Sequence, residues 1–309
     1  IELDLIHWWV SSGADFNKKV AELTQPEKIK PVLLSLQSEE KTEAALITDI
    51  PKEAVGQADA KLIQDLLARA GYSIAKIQAS ESLAVKQALL GDAKIILDVG
   101  ANIGGMTADY LATFPLAQIH SFEPFSDPAA RLRKRFSGVS RVHVHELAVA
   151  AQTGTQHFHT NLTETTNSLL PVEADAVNAW GGRLTATGPG VTVKTTTIDA
   201  FCDQHGITTI DLLKLDIQGG EFEALKGAES LLAAGRIQLI FCEIILEKCY
   251  QGQQPLWSYI ERLSRHGYML VDVFDLHRKD MRIMQLDALF ASPALAKSRG
   301  YQQVLRPTP

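Results

Sequence analysis

The chain has only three cysteines in 309 residues. Cys202, Cys242 and Cys249 form no CxxC pair and show no metal-ligand spacing. That leaves nothing for a disulfide framework and fits a reducing, cytoplasmic setting. No apolar run approaches the roughly 18 residues needed to cross a bilayer, and no secretory leader pattern opens the chain. Beginning at Ile1 without methionine, the sequence reads as shortened at its start. Basic residues are not in excess either: 30 Lys and Arg against 36 Asp and Glu give a formal charge of −6. That balance is wrong for a surface that neutralises nucleic-acid phosphates. The local exception, Arg131, Arg133, Lys134 and Arg135, falls on a predicted helix after Pro128 and reads as a solvated face. His143 with His145, and His157 with His159, alternate along strands in the manner of surface residues rather than zinc ligands.

An apolar content of 46% is ample for a core, and the length suits one large domain with an extension, or two domains. Residues 1–90 carry helical spacing over Phe16–Leu23, Ile29–Leu36, Lys61–Ala70 and Ser80–Leu90, punctuated by Pro26, Pro31, Pro51 and Gly71. They read as a helical N-terminal extension or small domain, with residues 91–309 as the main domain. From about residue 94 strands alternate with helices. Ile95–Val99, Ile119–Phe122, Val142–His145, Leu212–Leu215, Ile237–Cys242, Met269–Phe274 and Ala288–Ala291 are the predicted strands. Helical patterns fall near Met106–Phe114, Asp127–Phe136, Glu221–Ala234 and Leu256–His266. This order predicts an α/β fold with a doubly wound, mostly parallel sheet, whose ligands bind at the carboxyl ends of strands. Asp98, Glu123, Glu146, Asp216 and Glu243 all stand at such ends. Residues 151–195, rich in Thr, Gly and Asn, are a long insertion that serves either as a functional lid or as surface decoration.

The glycine turn after the first strand chooses between cofactors. A dinucleotide calls for GxGxxG, which lets the backbone approach a pyrophosphate. Here Gly100 and Gly104 are four apart with Asn102 between them, and Asp98 precedes the turn. A carboxylate at that point repels a pyrophosphate and suits an ammonium, which favours the zwitterionic methionine end of S-adenosylmethionine. Glu123, about 20 residues on, has the position of a ribose-binding carboxylate. Later, Lys214 and Asp216 share one face of a strand that ends in a second glycine turn, and Glu221 opens the helix that follows. A structural ion pair for Lys214 and Asp216, and a helix-capping role for Glu221, are the plainer alternatives.

Five stretches together resemble the FkbM family of methyltransferases, a branch of the class I S-adenosylmethionine-dependent fold with a seven-stranded sheet. They are Leu97–Gly104, Phe122-Glu123-Pro124, Thr197–Phe201, Leu213–Glu221 and Cys242-Glu243, spread over about residues 94–292. The departures are Gln218, where the family usually has an acidic residue, and the 1–90 segment, which lies outside the pattern. The resemblance implies that Gly100, Ala101, Asn102 and Gly104 hold the methionine portion, with Asp98 near its ammonium. It implies that Glu123 and Pro124 border the ribose, that Glu146 to Ala148 border the adenine with Glu146 an acceptor for its amino group, and that Asp216 lies beside the methyl donor.

The implied activity is O-methylation of a sugar or small secondary metabolite. The cofactor carries the hard chemistry, while a general base assists the hydroxyl; Asp216 ranks first for that task, then Glu243 and Glu221. A divalent cation held by these carboxylates is an alternative activator outside the predicted set. Trp180, in the insertion, is the tryptophan best placed to meet an acceptor. Two competing readings are a non-catalytic S-adenosylmethionine-binding or interaction module, and a nucleotide-dependent oxidoreductase that the glycine spacing disfavours. No nucleic-acid partner and no membrane span are expected, and self-association into a homo-oligomer stays open.

Overall fold

In the computed structural model, residues 81–301 are described. The helices expected before residue 80 lie outside them. The first element, helix α1 (Glu81–Leu90), buries Leu83 and Leu89 against Tyr110, Phe114, Leu239 and Phe241. Strand β1 (Ile95–Val99) follows, then α2 (Gly105–Thr113), β2 (Gln118–Phe122), α3 (Ser126–Arg135) and β3 (Val142–His145). These strands pair in parallel, β2 lying between β1 and β3. Residues of β1 alternate between two cores, one on each face of the sheet: Ile96 joins the α1 side, whereas Leu97 and Val99 pack with Phe122, Leu213 and Leu215. A strand covered on both faces is apolar at consecutive positions, which is why this stretch reads as a hydrophobic run broken only by Asp98.

The insertion is ordered. Strands β4 (Ala148–Val149), β5 (Gly154–Phe158) and β6 (Val191–Thr196) make a separate small sheet in the order β4-β6-β5, and helix α4 (Ala176–Trp180) lies between β5 and β6. Ser168 Oγ donates to the Gln218 carbonyl (2.8 Å) and Trp180 Nε1 to the Lys248 carbonyl (3.1 Å). These bonds tie the insertion to the strand ends of the main sheet.

Helix α5 (Ile198–His205) leads to β7 (Ile210–Leu215), which lies beside β1. The matched Thr197–Phe201 stretch proves to be a double cap. The Thr197 hydroxyl accepts from Ala200 N (3.0 Å) at the start of α5. Asp199 accepts from Ser230 N (2.8 Å) and Leu231 N (3.1 Å) at the start of a later helix, where a carboxylate also complements the helix dipole.

The single helix expected over Glu221–Ala234 is two, α6 (Glu221–Lys226) and α7 (Glu229–Ala233). The break falls at Gly227, where a Cβ would stand 2.4 Å from the Ala150 carbonyl oxygen. Backbone packing at that spot therefore overrides the helical periodicity. The remaining elements are β8 (Ile237–Ile245), α8 (Leu256–Arg265), β9 (Met269–Lys279), β10 (Arg282–Ala291) and α9 (Pro293–Ser298). The last two strands are longer than their apolar cores suggested because they form a hairpin closed at Asp280 and Met281, both at positive φ. The main sheet has seven strands in the order β3-β2-β1-β7-β8-β10-β9, with β10 antiparallel to both neighbours. Among the described residues no helix is long and apolar enough to cross a membrane, and the three cysteines are buried and form no disulfide.

Candidate active site

The chain leaves β1 toward β2 on one side and leaves β7 toward β8 on the other, so a crevice opens at the tips of β1 and β7. Gly100 makes the close approach there: it sits at φ +79°, and a Cβ would fall 1.9 Å from the Asp216 carbonyl oxygen. Asp216 N donates to Val99 O (3.2 Å) between the tips of β7 and β1, and Gly100 N and Ala101 N donate to Phe122 O (3.0 and 2.9 Å) at the tip of β2.

Asn102, also left-handed at φ +48°, donates its backbone N–H to Glu123 Oε2 (3.0 Å), while Phe125 N donates to Oε1 (2.9 Å). Burial pushes the Glu123 carboxyl up to about 7, against the pull of those two N–H donors. The resulting cleft, about 790 Å³ counted with its open mouth, is lined by Gly100, Asn102, Glu123, Pro124, Ala148 and Asp216 among others, and by no Lys, Arg or His among the described residues.

Four of the predicted cofactor contacts do not line this cleft. Asp98 is fully buried: Thr107 Oγ1 donates to its Oδ2 (2.6 Å), and Lys214 Nζ lies 3.3 Å from Oδ1. Gly104 and Ala101 face the other way. A Cβ on Gly104, at φ +84°, would stand 2.5 Å from both Leu132 and Phe136 of the α3 region, where Ala101 also packs. Glu146 points outward and is held by Ser126 Oγ (2.7 Å) and Arg133 Nη2 (2.9 Å). These two bonds and the Arg133 charge keep its carboxyl below the ordinary value. The Arg131 and Arg133 side chains are half exposed and paired with Asp127, Glu164 and Glu146, as a solvated helix face requires.

The catalytic candidates separate according to burial. Glu221 is fully buried beneath the second glycine turn, where its Oε1 accepts from Ile217 N (2.7 Å) and Gly219 N (3.2 Å). Burial raises its carboxyl to about 7, and it lines neither this cleft nor the cavity described next. Glu243, expected at the end of a strand, lies two residues inside β8, which runs on to Ile245, and has both oxygens engaged: Gln218 Nε2 donates to Oε2 (2.8 Å) and Gln285 Nε2 to Oε1 (3.0 Å). Burial, joined by the charges of Asp216, Glu221 and Asp287, drives it well above the usual carboxylate range. Asp216 is the open one. Its side chain is 40% exposed, with Lys214 Nζ 3.4 Å from Oδ2 and Gln218 Nε2 3.2 Å from Oδ1. Burial alone would lower Lys214, but Asp216 and Asp98 together reverse this and hold it firmly charged.

A second cavity, of about 650 Å³ with its mouth, adjoins the first. Trp180, Leu184, Ile245 and Tyr250 give it apolar walls, and Glu243, Gln285 and Thr166 supply polar groups. Asp216, Gln218 and Thr165 line both spaces.

In the sequence, Gln218 stands out only as a departure from the family pattern. In the structure it is a hub at φ +57°: besides bonding Asp216 and Glu243, its Oε1 lies 3.1 Å from the Tyr250 hydroxyl. Tyr250 and Gln285 carried no local signal, because each reaches the site through strand pairing far along the chain. Among the described residues no group of three or more His, Cys, Asp or Glu side chains is arranged to hold a metal ion.

A seven-stranded sheet of this order, with an acidic cleft at the β1–β7 tips, defines the class I methyltransferase architecture. The family model described as "Methyltransferase FkbM domain" matches residues 98–270, more than half of the chain, and the chain belongs to that family as an S-adenosylmethionine-dependent methyltransferase. Among curated proteins, it is 28% identical over 177 residues to the 2-O-methyltransferase NoeI of Sinorhizobium fredii, spanning 55% of this chain and 70% of that one. It is 24% identical over 200 residues to the 31-O-demethyl-FK506 methyltransferase FkbM of Streptomyces tacrolimicus, spanning 57% and 73%. Among solved structures, a 1,6-didemethyltoxoflavin N1-methyltransferase from Burkholderia thailandensis aligns over 82% of this chain and 97% of that one, at 14% identity and a TM-score of 0.39. The cleft suits the family's cofactor in its chemistry: carboxylates and an amide with no basic side chain favour a cationic, hydroxyl-bearing ligand over a pyrophosphate.

Proposed function

We propose that this enzyme methylates a hydroxyl oxygen of a small polyhydroxylated acceptor, a sugar or a secondary metabolite, bound in the second cavity. The observation that carries this reading is the shared wall. Asp216, the exposed carboxylate at the tip of β7, lines both the cleft assigned to the cofactor and the adjoining cavity of mixed aromatic and amide character. The names of the two curated relatives, both O-methyltransferases, support the same class of atom as acceptor.

Bound in the cleft, the cofactor supplies an activated methyl group on a sulfonium. Glu123 accepts ribose hydroxyls with the lone pairs left over from Asn102 N and Phe125 N. Asp216 takes the proton from the acceptor hydroxyl as the new bond forms and later yields it to solvent, an assistance worth roughly 10²–10⁴-fold. Lys214, buried and charged, anchors Asp216 from behind. Gln218 fixes the separation of Asp216 from Glu243, and Glu243, held by two amides, shapes the acceptor wall. Mass spectrometry after incubation with isotopically labelled cofactor and a panel of glycosides and hydroxylated metabolites tests the proposal. Transfer to a hydroxyl that is lost in Asp216→Asn supports it; transfer only to nitrogen, or turnover indifferent to Asp216, rejects it.

A further inference from the structure

The insertion brings to the cofactor cleft one carboxylate that the reaction described above leaves unused. Glu164 opens a single 3-10 turn, Glu164–Thr166, and lines the cleft. Its two oxygens differ. Oε2 lies 3.4 Å from Nη1 of Arg131 on α3. Oε1 is shielded from water and has no hydrogen-bond partner among the described residues. A buried acceptor without a donor costs about 1–3 kcal/mol, and folded proteins keep few of them. The surroundings indicate what kind of donor is missing. Phe158 and Leu169, both from the insertion, pack with Ala148 and share the cleft lining with Pro128 and Leu147. These residues make an apolar flank of the kind a flat purine needs. Glu123, the residue assigned to the ribose, is close enough for the Glu164 charge to help raise its carboxyl. Glu146, the residue expected from sequence to meet the adenine amine, is tied outside the cleft by Ser126 and Arg133.

We propose that Glu164 Oε1 accepts a hydrogen bond from the nucleoside half of the bound cofactor, with Arg131 holding the carboxylate in place, so that the insertion forms part of the cofactor site. The proposal rests on the cofactor occupying this cleft. The donor is an N–H of the adenine amine, since both ribose O–H groups go to Glu123, and a carboxylate accepts it.

Calorimetric titration of the full chain with S-adenosylhomocysteine tests it, alongside melting of the unliganded variants. Glu164→Ala is expected to weaken binding about tenfold, the lower end of a charge-assisted bond, with an unliganded melting temperature no lower than that of the wild type. Glu164→Gln, which keeps an acceptor oxygen, recovers part of the loss. Arg131→Ala costs about two- to fivefold, as an exposed ion pair should. Repeating the titration with an inosine analogue tests the donor: a ligand lacking the adenine amine binds wild type and Glu164→Ala equally.

The inference is overturned if Glu164→Ala binds S-adenosylhomocysteine as the wild type does while Glu123→Gln weakens it, or if the inosine analogue remains as sensitive to Glu164→Ala as S-adenosylhomocysteine is. A wild-type protein that fails to bind, or binding indifferent to Glu123→Gln as well, brings down the cleft assignment instead.

Discussion

Asp98 and Asp216 flank the same lysine, at 3.3 and 3.4 Å, yet their removal should have opposite consequences. Asp98 is wholly inaccessible and bonded to Thr107, whereas the Asp216 side chain is 40% exposed. Replacing Asp98 with Asn strips a buried ammonium of its fully desolvated partner. Breaking a buried pair this way costs about 3–5 kcal/mol, and the lower figure applies because Asp216 remains. Replacing Asp216 with Asn removes a solvent-screened contact worth about 1 kcal/mol or less, while turnover falls roughly 10²–10⁴-fold through loss of the base. Urea denaturation, S-adenosylhomocysteine calorimetry and a methyl-transfer assay on both variants separate the roles. Asp98→Asn should lose stability first and bind cofactor near normally wherever it is still folded; Asp216→Asn should fold and bind but turn over poorly. If Asp98→Asn keeps its denaturation midpoint and loses only cofactor binding, then Asp98 does contact the ligand and the reasoning from its burial fails.

Gly100→Ala should cost more than about 2 kcal/mol, because a left-handed backbone is unfavourable for alanine and the new Cβ would collide with the Asp216 carbonyl; a thermal midpoint within a degree or two of wild type would contradict this. The Glu123 carboxyl, raised to about 7 by burial, must be ionised to accept both ribose hydroxyls. S-adenosylhomocysteine affinity should therefore fall as pH drops below about 7, by up to about tenfold per unit, and Glu123→Gln should flatten that profile in calorimetry. Around Phe201, the rings of His120, His143, His145 and His205 cluster, with His120 Nδ1 3.1 Å from His145 Nε2. Burial and neighbouring histidines depress His120 to about 3 and His145 to about 4. Between those values and the unfolded value of about 6.5, the unfolded chain binds more protons, so each histidine removes stability as pH falls, by up to about 1.4 kcal/mol per unit. Glu123 and Glu221, raised to about 7, act in the opposite sense between about 4.5 and 7, and Asp287, also raised to about 7, does so from about 3.8. The decisive measurement is therefore the difference between wild type and His120→Phe: the stability of the variant relative to wild type should rise as pH falls below about 6.5, by up to about 1.4 kcal/mol per unit.

Whatever depends on consecutive residues was legible in the chain itself. The run Ile95–Val99 is apolar at every buried position but Asp98 because both faces of its strand are covered, and the glycine turn that follows is visible because a left-handed backbone leaves few alternatives to glycine. Most of the carboxylates at strand tips could be listed for the same reason, since strand length and the onset of the next turn are local properties; Glu243 is the exception, because β8 runs past it to Ile245 in pairing with β10. Which of those carboxylates meets a ligand was decided only by packing. Asp98 points between sheet and helix toward Lys214 and Thr107, Glu146 is drawn outward by Arg133, and Glu221 supports a turn, whereas Asp216 stays at the mouth. Gln218, Tyr250, Gln285 and Glu164 come together from four separate stretches through the β7–β8–β10 pairing and the folded insertion. A side chain's neighbours across strands depend on register and on what is buried, and neither is written in the residues adjacent to it.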